Sequence, residues 1–130
     1  MAIQFTVLSE PVGKARARVV VNKGKAHSYT PSKTSDAENN VRWAWLQAGR
    51  PTIRGPICLT VTFYRTRPKS TPKNVLLPVT KPDTSNYLKL VEDALNNYAF
   101  QDDSYITTSH ARKRFGSPPR IEIELEEDSL

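Results

Sequence analysis

The amino-acid sequence predicts an α+β fold: a mixed β-sheet with two helices packed on one face, in a single domain over residues 1–130. Several short segments alternate apolar and polar residues with period two, as in IEIELE at 121–126, which is the pattern of a half-buried strand. Only two stretches carry apolar residues at helical spacing, and runs of strands interrupted by two helices point to an α+β layer. A chain of 130 residues suits one modest core, and no repeat marks a second domain.

The elements follow in order. IQFTVL at 3–8 alternates as a strand, and EPVG breaks it. ARARVVVNKGKAHSYT reads as two strands around a turn at Asn22 to Lys25, with Gly24 at the tight position. The first helix is expected to begin near Ser35 with a Ser35–Glu38 capping box. Ala37, Val41, Trp45 and Ala48 line one of its faces, and it ends at Gly49. PICLTVTFYR at 56–65 alternates again as a strand, whereas TRPKSTPKNVLLPVTKP at 66–82 is rich in proline and lysine and reads as an exposed loop. The second helix runs from about Ser85 to Asn96, followed by strands near 105–112 and 120–126.

Composition excludes several classes. Cys58 is the single cysteine, so there is no internal disulfide and no usual cysteine-based zinc site. His27 and His110 are the only histidines, too few for a His-rich metal site. No apolar run approaches the ~20 residues of a membrane span, and the N-terminus lacks a signal-peptide pattern, so no membrane partner is expected and the cytoplasm is the expected location. Charge is segregated. Residues 1–82 hold 14 Lys and Arg against 3 Asp and Glu, while residues 83–130 hold 5 against 10. Basic residues clustered in loops and at strand ends favour a nucleic-acid partner over a merely solvated face.

The segment KPDTSNYLK at 81–89 opens the second helix with Asp83, flanked by Lys81 and Lys89. Asn86, Lys89, Asp93 and Asn96 recur at helical spacing opposite the apolar stripe formed by Tyr87, Leu88, Val91, Ala94, Leu95 and Tyr98. Helical side chains lean toward the N-terminus, which directs the Lys89 ammonium toward Asp83; an i,i+4 pair with Asp93 is the plainer alternative. Asp102 and Asp103 stand together at the entry to a strand, where aspartates commonly cap backbone N–H groups. If that strand folds back beside the mouth of the helix, Asp83 converges with them. Crowded carboxylates repel unless a cation sits among them, and oxygen ligands near a phosphate suit Mg²⁺.

KPDTSNYLKLVEDALNNYAFQDDSYI is similar to the central motif of the RusA family of Holliday-junction resolvases, KPDxDNLxKxxxDALNGxxxxDDSQI. GKARARVVVNKGKAHSYTPSKTSDAE also resembles that family's opening, in which a G-P-x-x-K-x-R-x-R block leads to Y-T-P and the first helix. The match runs in order from Glu10 to Ile106. It implies an α+β homodimer that binds four-way junction DNA and uses Mg²⁺ or Mn²⁺ to make paired nicks. By position, Asp83 matches the first catalytic aspartate, Lys89 the catalytic lysine and Asp103 the third aspartate, with Asp102 beside it. Asp83, Asp103 and Asp102 are then the expected metal ligands.

The family's second aspartate falls on Ser85, which with Asp93 is expected outside the metal's inner shell. Asn97 stands where the family often has glycine, and asparagine tolerates left-handed backbone after a helix. Lys14, Arg16 and Arg18 are expected to grip DNA phosphates, with Arg67, Lys69, Lys73 and Lys81 extending the grip. The apolar residues of the first helix, including Trp43 and Trp45, exceed what one face of a small core needs, so some of them are expected at a dimer interface. The alternative is a catalytically weak or silent junction or duplex DNA-binding protein of the same fold.

Overall fold

The computed structural model describes residues 2–15, 18–29 and 31–130. Strand β1 (Ala2–Val7) is followed by a hairpin, β2 (Arg18–Asn22) and β3 (Lys25–Tyr29), whose turn carries Lys23 at φ 52 and Gly24 at φ 76. Two consecutive positive φ values are those of a type I′ turn, which matches the twist of the flanking strands. Helix α1 (Ser32–Gln47) leads to β4 (Ile57–Arg65), and helix α2 (Thr84–Leu95) leads through a short 3-10 turn (Asp103–Tyr105) to β5 (Ile106–Phe115) and β6 (Arg120–Glu127).

The main sheet has the order β1-β6-β4-β5, with β4 and β5 parallel and the other pairs antiparallel. The parallel pair needs a crossover connection, and α2 supplies it. Ile57, Leu59, Val61 and Phe63 of β4 and Ile121, Ile123 and Leu125 of β6 are buried with Val41 and Trp45 of α1 and Tyr87, Leu90, Val91, Ala94 and Leu95 of α2 in one core. Both helices therefore cover the same face, as expected. The other face carries Gln4, Thr6, Thr60, Thr62, Arg112, Glu122 and Glu124 around a shallow depression. Phe63 stacks on Tyr87 with centroids 4.9 Å apart, locking α2 to the centre of the sheet. No helix among the described residues is long and apolar enough to cross a membrane.

Several expectations about the first helix are corrected. Helix α1 starts at Ser32, behind Pro31, and no side chain caps it. The capping box fails because Glu38 is buried and takes a hydrogen bond from Lys14. Ala48 is exposed and Thr34 and Glu38 are buried in its place on the inner face. Trp45 is not available to a second subunit: it is in the core and its Nε1 donates to Pro51 O at 2.7 Å. Trp43 is 63% exposed. Asn97 takes φ 68 just after α2, the left-handed geometry anticipated for it.

Candidate active site

The site is built on the outer edge of α2. Asp83 is the N-cap residue, and its carbonyl accepts from the N–H groups of Asn86 and Tyr87. Its carboxylate makes no cap hydrogen bond and joins no ion pair among the described residues. Ser85 is exposed within the first turn and is not the cap.

The segment before β2 straps across this end of the helix. Lys14 N donates to Asn86 O at 3.3 Å, and Asn86 Nδ2 donates to Lys14 O at 2.9 Å. Gly13 makes the approach feasible, since a Cβ there would lie 2.1 Å from Asn86 Oδ1 and 2.9 Å from Pro82 Cβ.

The strap delivers Lys14 to a row of alternating charge. Lys14 Nζ lies 3.2 Å from both Glu38 Oε2 and Asp93 Oδ2. Asp93 Oδ1 in turn lies 3.2 Å from Lys89 Nζ, and Lys89 Nζ lies 3.9 Å from Asp103 Oδ2. Lys14 is thus an internal counter-ion between two carboxylates, not the free phosphate grip expected of it. Lys89 turns toward Asp93 and Asp103, with no ion pair to Asp83, because two carboxylates on that side outweigh the rotamer lean toward the N-terminus. The hydrogen bond to Asp93, then its charge, raises the Lys89 pKa above that of a free lysine. Burial raises the pKa of the adjacent Glu92, with Lys89 pulling the other way.

Asp102 caps its own turn, its Oδ2 accepting from Ser104 N at 3.1 Å. Hydrogen bonds from Ser104, through its side chain first and then its backbone, hold the Asp102 carboxyl below the usual range. Asp102 is exposed and Asp103 partly so. The three-carboxylate convergence expected for Asp83, Asp102 and Asp103 is absent: among the described residues, no three His, Cys, Asp or Glu side chains form a group able to hold a metal. Asp102 is turned to Ser104 and Asp103 to Lys89, which accounts for the separation. The donor chemistry nevertheless suits a hard cation, because Mg²⁺ commonly takes one or two carboxylates, substrate phosphate oxygens and several waters.

A second set of cations fixes the approach to Asp83. Arg65 donates to Thr80 O and Lys81 O at 3.0 and 3.3 Å, and Lys113 Nζ donates to Thr80 O and Pro82 O at 2.9 and 3.1 Å. Arg67 donates to Val75 O and Pro72 O and lies over the Phe115 ring, 5.0 Å from its centroid. Arg67 shapes the loop instead of standing free for DNA. Lys69, Lys73 and Lys81 are exposed and unpaired among the described residues. Arg16 and the side chain of Arg18 lie outside the described residues. Sequence reasoning gave Glu38 only a capping role and passed over Arg65 and Lys113, which lie toward the C-terminal ends of β4 and β5, the strands that α2 connects, a position that could have drawn notice.

The chain is thus a small α+β domain with charged side chains along its crossover helix. The family model described as Endodeoxyribonuclease RusA matches residues 9–126, and the chain belongs to that family. It is 36% identical over 138 residues to the uncharacterized protein YqaN of Bacillus subtilis (strain 168), covering 98% of this chain and 97% of that protein. The matched span contains the strap, both helices and the Asp102–Asp103 turn.

Proposed function

We propose that this protein is a metal-dependent endodeoxyribonuclease that resolves four-way DNA junctions by paired phosphodiester hydrolysis, acting in the cytoplasm as a homodimer. The observation that supports it most is the Lys89 ammonium, held 3.2 Å from Asp93 and 3.9 Å from Asp103 on an accessible helix edge, in a chain of the RusA endodeoxyribonuclease family.

Hydrolysis joins a water oxygen to phosphorus and breaks the bond to the 3′ oxygen, leaving a 5′-phosphate and, once that oxygen is protonated, a 3′-hydroxyl. Asp83 and Asp103 would hold Mg²⁺ or Mn²⁺, with Asp102 as a further ligand or one acting through water. Bound there, the ion supplies positive charge to the reacting phosphate and acidity to a bound water. Lys89 remains protonated beside its carboxylates and neutralises charge growing on the phosphate. Asp93 orients Lys89, and Ser85 can hold a water by its hydroxyl. Lys69, Lys73 and Lys81 grip DNA phosphates, joined by Arg16 and Arg18.

Two matched cuts call for two sites related by a two-fold axis. The open sheet face offers a self-complementary surface for that pairing. Glu122 and Glu124 of β6 and Arg112 of β5 border the same depression, so Arg112 of one copy would meet a glutamate of the other when two copies face each other.

The exposed neutral Ser85, in place of the family's second aspartate, is what favours the second reading, a silent junction binder. The two readings separate on whether the native protein cleaves a four-way junction in Mg²⁺, and Asp83→Asn and Asp103→Asn then test the carboxylates. Each is expected to abolish junction cleavage and leave gel-shift affinity within about threefold, because phosphate contacts by Lys and Arg dominate affinity. Variants that lose binding together with cleavage, or cleave normally, would remove these carboxylates from the reaction.

A further inference from the structure

The loop from Thr66 to Pro82 ends one residue before Asp83 and exposes three apolar side chains. Leu76 is 77% exposed, Leu77 50% and Val79 83%. Nothing in the chemistry assigned to Asp83, Lys89 and Asp103 uses them.

The loop that carries them is braced on both sides of the apolar stretch. Arg67 holds the carbonyls of Pro72 and Val75, and two backbone turns close Pro68–Thr71 and Pro72–Val75. Pro78 is buried between Leu77 and Val79. Arg65 and Lys113 share the Thr80 carbonyl at the exit. On the far side, Glu10 accepts from the N–H and hydroxyl of Thr66 at 3.0 and 2.8 Å, fixing the entry. The apolar side chains are therefore held outward by their surroundings.

Their flanks select the partner. Lys69, Lys73 and Lys81 are exposed along the same loop, and an apolar tip framed by lysines fits a polyanion that also presents open apolar surface. Duplex DNA presents phosphates but keeps its base faces stacked. A branch point does not, and proteins that open base steps commonly insert Leu, Ile or Met wedges to do it. We infer that Leu76, Leu77 and Val79 form a wedge that packs against unstacked bases at a DNA branch point, placing the crossover strand beside Asp83. The inference rests on the junction-nuclease reading and adds to it the element that tells a branch from a duplex.

The test uses a four-way junction with 2-aminopurine at the crossover, a matched linear duplex, and Leu76→Ser/Leu77→Ser/Val79→Ser compared with the native protein by gel shift and fluorescence without divalent metal. The substituted side chains are exposed, so a matching thermal unfolding midpoint is expected. Native protein should raise the crossover fluorescence. The triple variant should lose that rise and about tenfold or more of its junction affinity, the scale of one or more apolar side chains no longer buried against bases, with duplex affinity within about twofold.

A native complex with the junction but without a fluorescence rise overturns the wedge and leaves the nuclease reading standing. Equal losses on junction and duplex, an unchanged junction affinity, or a variant that fails to fold or to associate as the native protein does would also overturn it. Native protein that binds no junction at all would remove the nuclease reading, and the wedge with it.

Discussion

Lys89 has a role that its neighbours define. Asp93 and Asp103 raise its pKa, first through the hydrogen bond from Lys89 to Asp93. For a lysine, a raised folded-state value means that the linked stability is fully present below the unfolded value, about 10.4, and is lost as pH rises through the folded one. The amine therefore stays cationic through neutral and mildly alkaline pH, as charge neutralisation at a phosphate requires. Lys89→Ala is expected to slow single-turnover junction cleavage ~100-fold, the scale of removing one preorganised charge at the reacting group, with binding retained. The native rate should show no decline assignable to this amine between about pH 7 and 10. A loss below about threefold would reduce Lys89 to the helix-surface partner of Asp93, a contact worth ~0.2 to 0.5 kcal/mol.

The strap, α1 and α2 act together through Gly13. A side chain there would overlap Asn86 Oδ1 and Pro82, and both belong to the backbone turn that presents Asp83. Gly13→Ala is expected to lower stability by about 1 to 3 kcal/mol, as overpacking does, read as a lower urea midpoint. It should also release Lys14 from Glu38 and Asp93. An unchanged midpoint would show that the strap shifts freely and does not hold α2.

These long-range ties mark the limit of what the sequence discloses. The strands and α2 were legible because period-two and period-3.6 patterns are local, and β4 and β6 bury the alternate residues those patterns named. The start of α1 was not, because Glu38 is claimed by Lys14, 24 residues away along the chain, and no local pattern records that. The same applies to Arg67, whose charge suggested DNA although its hydrogen bonds go to carbonyls of its own loop. The roles proposed for Asp83, Lys89 and Asp103 come only through the family motif, since spacing alone allowed surface pairing and turn capping. Lys89 and Asp102 also do those plainer things, pairing with Asp93 and capping Ser104.

At the scale of the whole molecule, one face of the sheet is closed by helices and the other is polar and open, while Asp93, Lys89 and Asp103 of the charged row and the lysine-rich loop belong to the segment that crosses from β4 to β5. That arrangement separates the proposed subunit contact from the proposed DNA contact, so a dimer can present two sites to one junction. The account stands most directly on strand-resolved cleavage of a synthetic four-way junction by the native protein, with Mg²⁺ and with a chelator in its place. It predicts nicks in pairs, on two strands of like polarity, within one binding event and only with the divalent ion present. Single unpaired nicks, cleavage undiminished by the chelator, or intact junctions in saturating Mg²⁺ would contradict it.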